Sequence, residues 1–280
     1  MTISAKDVKK LRDLTGAGMM DCKKALTEAD GDFDKAIEEL RKKGQKLSAK
    51  RADREANEGV VLALTSANRN NGVVFKLGCE TDFVAKTESF VDLAKQIGEI
   101  ALKNLPGSNE ELLSLPFENG ISIADKVEEQ VGVIGEKLEI SNYSKLETAA
   151  GEGQIVPYIH MGYRAGVIIA LNKEGPDLVE PGKNVAMQVA AMKPVAVDKD
   201  GVDQTIIDKE IEIGMEVARN EGKPEAMLER IASGKLNKFF KEKTLLNQAY
   251  VKDGKSSVGQ YLESVKAGLT VTDFKHVELA

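Results

Sequence analysis

The sequence predicts an α+β fold with a small helical unit in front and a helical insertion near the end. Three observations carry this prediction. Apolar residues recur at helical spacing through the first 45 residues, a strand–strand–helix order occurs twice between residues 59 and 280, and two long segments rich in Glu, Lys, Ile and Met interrupt its second occurrence.

At the front, Ser4 with Asp7 three positions later resembles a capping box, after which Val8, Leu11 and Leu14 share a helical face until Gly16. Past the turn TGAGMM, Met20, Ala25, Leu26 and Ala29 give a second apolar stripe. After the breaker ADGD, Phe33, Ala36, Ile37 and Leu40 give a third. Residues 1–45 are therefore expected to form a compact three-helix unit. The stretch RKKGQKLSAKRADREANE that follows is almost wholly charged and small, so residues 46–58 read as a linker, helical or not.

Residues 59–136 are expected to form a first core subdomain. VVLALTS and VVFKLGCE flank NRNNG, whose Asn-Gly suits a tight turn, and Phe90, Leu93, Ala94, Ile97, Ile100 and Ala101 recur at helical spacing. A second, related subdomain is expected over 137–280. There 137–146 and 154–160 can pair, 167–171 reads as a buried strand, and Val185, Val189, Ala190 and Met192 belong to a helix. The insertion spans 195–243. Its two arms, separated by NEGKP, read as an antiparallel hairpin zipped by Ile206, Ile213 and Val217 on one arm and Met227, Ile231 and Phe239 on the other. The α+β texture resumes with QAYVKD, the helix SVGQYLESVKAG and the strand TVTDFKHVEL.

Composition narrows the function. With 280 residues and 42% hydrophobic content the chain can bury real cores, and a net charge of -6 argues against a nucleic-acid partner. No targeting pattern or membrane-length apolar run occurs, so a cytoplasmic protein with no membrane partner is expected. Cys22 and Cys79 lie far apart and read as buried thiols of a reducing compartment. Enzyme motifs fail in turn. DGKSS at 253–257 lacks the leading glycine of a phosphate loop, GAGMMD at 16–21 sits in a helical context, and His160 and His276 are the only histidines. No catalytic residue, metal site or cofactor site is singled out.

What stands out instead is apolar surface. Met19 and Met20 lie at a glycine-rich turn, either as a contact surface for a partner or as caps on the small core. In CETDFVAK, at 79–86, Asp82 and Phe83 occupy a connection between a strand and a helix. Either Thr81 caps a helical turn with Phe83 packed inward, or Phe83 is presented outward. His160 by itself fits a hydrogen-bonded structural histidine.

The motifs LRDLTGAGMMDCKKALTEADGD at 11–32, CETDFVAK at 79–86 and YIHMGYRAGV at 158–167, followed in order by VAMQVAAMKP at 185–194 and SVGQYL at 257–262, together resemble the bacterial translation elongation factor Ts family. The resemblance implies a ubiquitin-associated-like (UBA-like) N-terminal domain, two related core subdomains and a coiled-coil insertion in the second. It implies a guanine nucleotide exchange factor of protein biosynthesis, with elongation factor Tu as partner in its GDP and nucleotide-free forms. Such a factor disturbs the partner's Mg²⁺ site, promotes GDP release, leaves as GTP binds, and makes no bonds. Thr81, Asp82, Phe83 and Val84 match the stretch associated with dislodging Mg²⁺ from the partner, and Arg12, Met19 and Met20 match the docking motif. His160 and Arg164 lie in HMGYRAGV, where the family commonly has a His-Gly-Gly-Arg-Ile-Gly-Val type run; Arg164 and Gly166 keep its register. The apolar positions of the helical insertion leave little for a broad second face, so it is expected to project from the core, available for a weak self-contact between copies and not required for exchange. Two rivals predict otherwise. An adaptor that captures other helices through Met19 and Met20 would keep its activity in residues 1–45, and an enzyme with convergent carboxylates would act without a GTPase.

Overall fold

The computed structural model describes residues 3–118 and 120–280. Its first elements are α1 (Ala5–Thr15), α2 (Met19–Glu28) and α3 (Phe33–Lys50). The expected capping box forms: Asp7 N donates to Ser4 Oγ at 3.2 Å and Ser4 N donates to Asp7 Oδ2 at 3.3 Å. A small core of Val8, Leu11, Cys22, Ala25, Leu26 and Ala36 joins the three helices. Two stripe residues lie outside it. Leu14 is 62% exposed and Met20 75% exposed. A period of 3.6 residues explains both, because the inward position after Leu11 is Thr15, and Met20 lies nearly opposite Cys22 on α2. Thr15 fills that position by donating its hydroxyl to the Leu11 carbonyl at 2.8 Å.

The first sheet is built from β1 (Glu58–Thr65) and β2 (Asn71–Cys79), paired antiparallel with Val60 opposite Leu77 and Leu62 opposite Phe75. A four-residue turn, α4 (Asp82–Ala85), leads to α5 (Glu88–Asn104), α6 (Asn109–Ser114) and α7 (Ile123–Ile134). Phe75, Leu77, Phe90, Ile97, Leu112, Ile123 and Val131 make the core between this sheet and its helices. The expected linker departs from expectation at its start, since α3 continues through Lys50 and Leu47 packs against that core. Helices α3 and α7 cross where a side chain would not fit: a Cβ on Gly44 would lie 2.6 Å from the Glu128 carbonyl oxygen. The charged stretch thus carries one buried glycine, Gly44, at the crossing that docks the N-terminal helices.

The strand β3 (Glu139–Glu147) pairs with β2, giving the order β1-β2-β3. The expected pairing of 137–146 with 154–160 is therefore not formed, and the first sheet reaches past residue 136. Alternation marks a strand but does not choose its partner. Here Ile140 must cover the first helical core while Leu146 turns to the opposite face. The second sheet has β4 (Gln154–Ile159), β5 (Ala165–Leu171) and β6 (Val271–Glu278) in the order β4-β5-β6. Its outer face packs on α8 (Val179–Met192), reached before the hairpin of α9 (Gln204–Asn220) and α10 (Leu228–Lys243), and on α11 (Val258–Val265).

The inner faces of the two sheets meet directly. Val61, Ala63, Val74 and Leu146 pack against Ile155, Ile168, Ala170 and Val277, so the layers run helix, sheet, sheet, helix. Gly72 belongs to this interface and not to the expected Asn-Gly turn. It pairs with Thr65 inside the hairpin, and the positive φ of the connection falls on Arg69, at 60°. A Cβ on Gly72 would stand 2.5 Å from Ile155 Cγ2.

The insertion leaves and rejoins the core through one backbone clip. Val195 N donates to the Lys243 carbonyl at 2.8 Å, and Leu245 N and Leu246 N donate to the carbonyls of Ala196 and Val197 at 2.9 Å each. The seam between α9 and α10 is made mainly of small residues, with Gly214, Ala218 and Ala232 buried along it and Leu228 buried at the start of α10. Ile213, Val217 and Met227, expected to zip the arms, are exposed instead. The small seam brings the helix backbones together, which pushes those larger side chains onto the flank.

Two outcomes follow from this packing. Gly72→Ala should destabilise the protein by about 1–3 kcal/mol through overpacking, and combining it with Ile155→Ala should cost less than the sum of the two single changes. Urea unfolding of the four proteins measures this; additive losses would mean the sheets do not touch there. Replacing residues 198–242 by a short Gly-Ser loop should leave a cooperatively melting core, because the clip keeps the ends together and loop closure adds little cost. Loss of a sharp thermal transition would make the hairpin part of the core.

Candidate functional site

The turn that carries Phe83 is built at the end of β2. Cys79 is the last paired residue, opposite Glu58, and its thiol donates to the Thr81 carbonyl at 3.2 Å. Burial, reinforced by the Glu136 carboxylate, pushes the Cys79 thiol up to about 12, so it stays protonated. Thr81 is the N-cap residue of α4, yet its side chain makes no bond to that helix. Its hydroxyl donates to Glu136 Oε1 at 2.6 Å, while the Thr81 and Glu80 backbone N–H groups donate to Glu136 Oε2 at 3.0 and 3.1 Å. Glu80 is held in return, accepting from the Lys137 N–H and from Arg51 Nη1 at 2.6 Å each. The Lys137 N–H, followed by the Arg51 guanidinium, keeps the Glu80 carboxyl below the usual range.

These five hydrogen bonds to two carboxylates decide the state of the turn. Each contributes about 1.5–3 kcal/mol when sheltered, against about 1–2 kcal/mol to order each backbone residue, so a segment of this length is fixed. On that fixed turn the side chains divide. Val84 packs against the first core. Asp82 pairs with Lys86 at 2.5 Å, one turn on, and this bond holds its carboxyl below the ordinary value. Phe83 is 81% exposed. The inward-packed reading of Phe83 is thereby overturned: the inward position is taken by Val84, its neighbour in sequence, which a helical turn places about 100° away.

The turn between β4 and β5 stands at the same end of the molecule. Arg164 Nη1 donates to Glu58 Oε2 at 3.4 Å, and Glu58 is the residue paired with Cys79. His160 is exposed, with Nδ1 2.9 Å from the Tyr158 hydroxyl. Met161 is 87% exposed, and Tyr163, at a φ of 58°, reaches back to the core that holds Val84. The structure thus brings Thr81, Asp82, Phe83 and Val84 together with His160 and Arg164 through Glu58. Arg12, Met19 and Met20 belong to a different part. They are exposed on α1 and α2, so the two methionines do not cap the small core. Val133 of α7 packs against that core, three residues before Glu136.

Glu136 and Met161 carried no signal in the sequence. Glu136 follows a helix end and has no periodic partner, and Met161 lies where the run from His160 to Arg164 is one residue longer than the family pattern. Among the described residues no group of three or more His, Cys, Asp or Glu side chains could hold a metal ion, and no helix is long and apolar enough to cross a membrane.

Comparison with known proteins agrees over nearly the whole length. A family model described as Elongation factor TS matches residues 80–280. The chain is 52% identical over 278 residues to the elongation factor Ts of Amoebophilus asiaticus (strain 5a2), covering 99% of each chain. It is 53% identical over 278 residues to that of Flavobacterium psychrophilum, again covering 99% of each. With that of Porphyromonas gingivalis (strain W83) it shares 45% over 280 residues, covering 100% of this chain and 99% of the relative. The braced turn with its outward aromatic residue lies inside the matched region, and the chain belongs to the elongation factor Ts family.

Proposed function

We propose that this chain is a guanine nucleotide exchange factor for elongation factor Tu, and that Phe83 is its wedge. The observation that carries this reading is the exposure of Phe83 on a turn fixed from both sides. A large apolar ring held in water costs free energy that no contact within the chain offsets, which is reasonable where a partner buries it. The ring enters a hydrophobic slot of the GTPase beside the nucleotide and shifts the element that supports Mg²⁺. Mg²⁺ demands near-ideal octahedral geometry, so a displacement on the order of 1 Å degrades its coordination. Asp82 adds a charge at the same place, Thr81 anchors the turn, and Val84 seats it on the core.

Docking is assigned to other residues. Arg12, Met19 and Met20 form the contact surface of the N-terminal helices, read as a ubiquitin-associated-like domain, and His160 and Arg164 contribute a second contact beside the wedge. The two sheets with their helices act as related subdomains, and the α9–α10 hairpin is a coiled-coil insertion that offers a weak self-contact between copies and is dispensable for exchange. The chain binds the GDP and nucleotide-free forms of the partner in the cytoplasm and makes no bond. Linkage completes the cycle. If the factor lowers nucleotide affinity by some ratio, nucleotide lowers factor affinity by the same ratio, so GTP binding releases the factor.

The test is stopped-flow release of labelled GDP from elongation factor Tu. The wild-type chain should accelerate release, and Phe83→Ala should lower the maximal rate at saturation more than it weakens binding. Unchanged release from a folded Phe83→Ala protein would remove the wedge role, and no acceleration by the wild type would remove the exchange reading. Changing Met19 and Met20 together to Ser should raise the dissociation constant for elongation factor Tu by roughly tenfold, about 1.4 kcal/mol, with little change in thermal stability. A lower melting temperature with normal affinity would return both residues to a structural role.

A further inference from the structure

We propose that Glu136 is a positioning residue for exchange: it holds the Phe83 turn in the orientation that works, although it contacts no part of the partner. This rests on the exchange reading of Phe83. Helix α4 is only four residues long. Four residues cannot hold a helical turn by their own hydrogen bonds, so the direction of the Phe83 ring has to come from outside the segment. Thr81, which would ordinarily cap α4, gives its hydroxyl to Glu136 instead, and the backbone N–H groups of Glu80 and Thr81 go to the other oxygen of the same carboxylate.

Glu136 is itself well placed to transmit position. It directly follows Gly135, whose φ of 82° ends α7 in a left-handed turn. That helix is anchored by Ile123, Val127 and Val131 in the first core and crossed by α3 at Gly44. The junction is reciprocal. Glu136 receives two N–H groups from residues 80 and 81, while Glu80 receives the N–H of Lys137, the residue after Glu136. Two chain junctions therefore fix each other, and the Arg51 guanidinium at the end of α3 closes the set on Glu80. The Phe83 turn is located by α7 and α3, the same two helices that carry the N-terminal docking unit.

Glu136→Gln tests the proposal. The amide keeps the size of the side chain but removes the charge that strengthens both N–H bonds, and its NH₂ can meet the Thr81 hydroxyl only with that bond reversed. With the exchange assay on elongation factor Tu, the maximal GDP release rate at saturating variant should fall by about tenfold, a change of about 1.4 kcal/mol. The concentration giving half the maximal rate should stay within about twofold, since docking lies elsewhere. Amide hydrogen exchange at Glu80 and Thr81 should speed up in the free variant. Glu136→Gln with Phe83→Ala should release GDP no slower than Phe83→Ala alone, because one change acts through the other. Losses that add in the double variant, or a shift in half-maximal concentration with an unchanged maximal rate, would overturn the proposal. Should Glu136→Gln fail to fold, Thr81→Val removes one bond of the three and should give the same pattern at smaller size; a maximal rate equal to that of the wild type would then count against the role of the brace. If the wild type accelerates release, Phe83→Ala slows it, and Glu136→Gln does not, this proposal fails while the exchange reading stands. If the wild type gives no acceleration, the exchange reading itself fails.

Discussion

The direct contact between the inner faces of the two sheets is the constraint on which the rest of the molecule depends. Each strand at that interface has apolar side chains on both faces, with Val61 and Ala63 turned to the other sheet and Val60 and Leu62 turned to the helices. A strand buried on both sides cannot slip by one residue without exchanging the two sets, so register is tightly specified. Gly72 and Gly166 let the sheets approach to a distance that a Cβ at either position would block, meeting Ile155 and Val61 respectively. Fixed register then fixes where the strands end. The pairing of Glu58 with Cys79 and the bond from Arg164 to Glu58 are consequences of it, and they bring the Phe83 turn and the β4–β5 turn to one end.

How much of this could be read beforehand follows from the kind of interaction involved. Local signals survived: the Ser4–Asp7 box forms, and so do the strand–strand–helix runs and the hairpin with its break at NEGKP. Interactions distant in sequence did not. Nothing in the alternation of 139–147 says that its partner is β2 and not β4, and nothing in Asn71-Gly72 distinguishes a turn glycine from one placed for Ile155. The site divides the same way. CETDFVAK was legible as a motif, but whether Phe83 faces in or out depended on which of two adjacent apolar residues, Phe83 or Val84, the core would accept. Glu136 was invisible, because a carboxylate 55 residues from Thr81 looks like any other surface acid until the fold brings the two together.

The helical hairpin shows what a small seam does. Gly214, Ala218 and Ala232 close the gap between α9 and α10, so the helices touch through backbone and Cβ atoms, and Ile213 and Val217 are left on the flank. The arms gain close packing and forgo the burial of two β-branched side chains, each about 1.5–3 kcal/mol when fully buried. Because the clip between Val195–Val197 and Lys243–Leu246 is made of backbone bonds, the hairpin's position relative to the core does not depend on those flank residues. Changes along the flank are therefore separable from changes in the core.

Under the proposed exchange role, a wedge has to be stiffer than the element it displaces, which would account for two carboxylates on a four-residue turn. If the turn were loose, inserting Phe83 would first order the turn itself, at about 1–2 kcal/mol per backbone residue, and that cost would be drawn from the energy available to move the metal support. Bracing by Glu136 and Glu80 places that ordering cost in folding, where the sheet interface and the α3–α7 crossing already meet it. The proposed division between docking and wedge then has a clear physical sense. On that reading, affinity supplied by Arg12, Met19 and Met20 would be felt equally whether or not nucleotide is bound, and would bring the factor to the partner without biasing exchange. Only a contact that differs between the two states can couple factor to nucleotide, and the proposal gives that contact to the braced, outward Phe83.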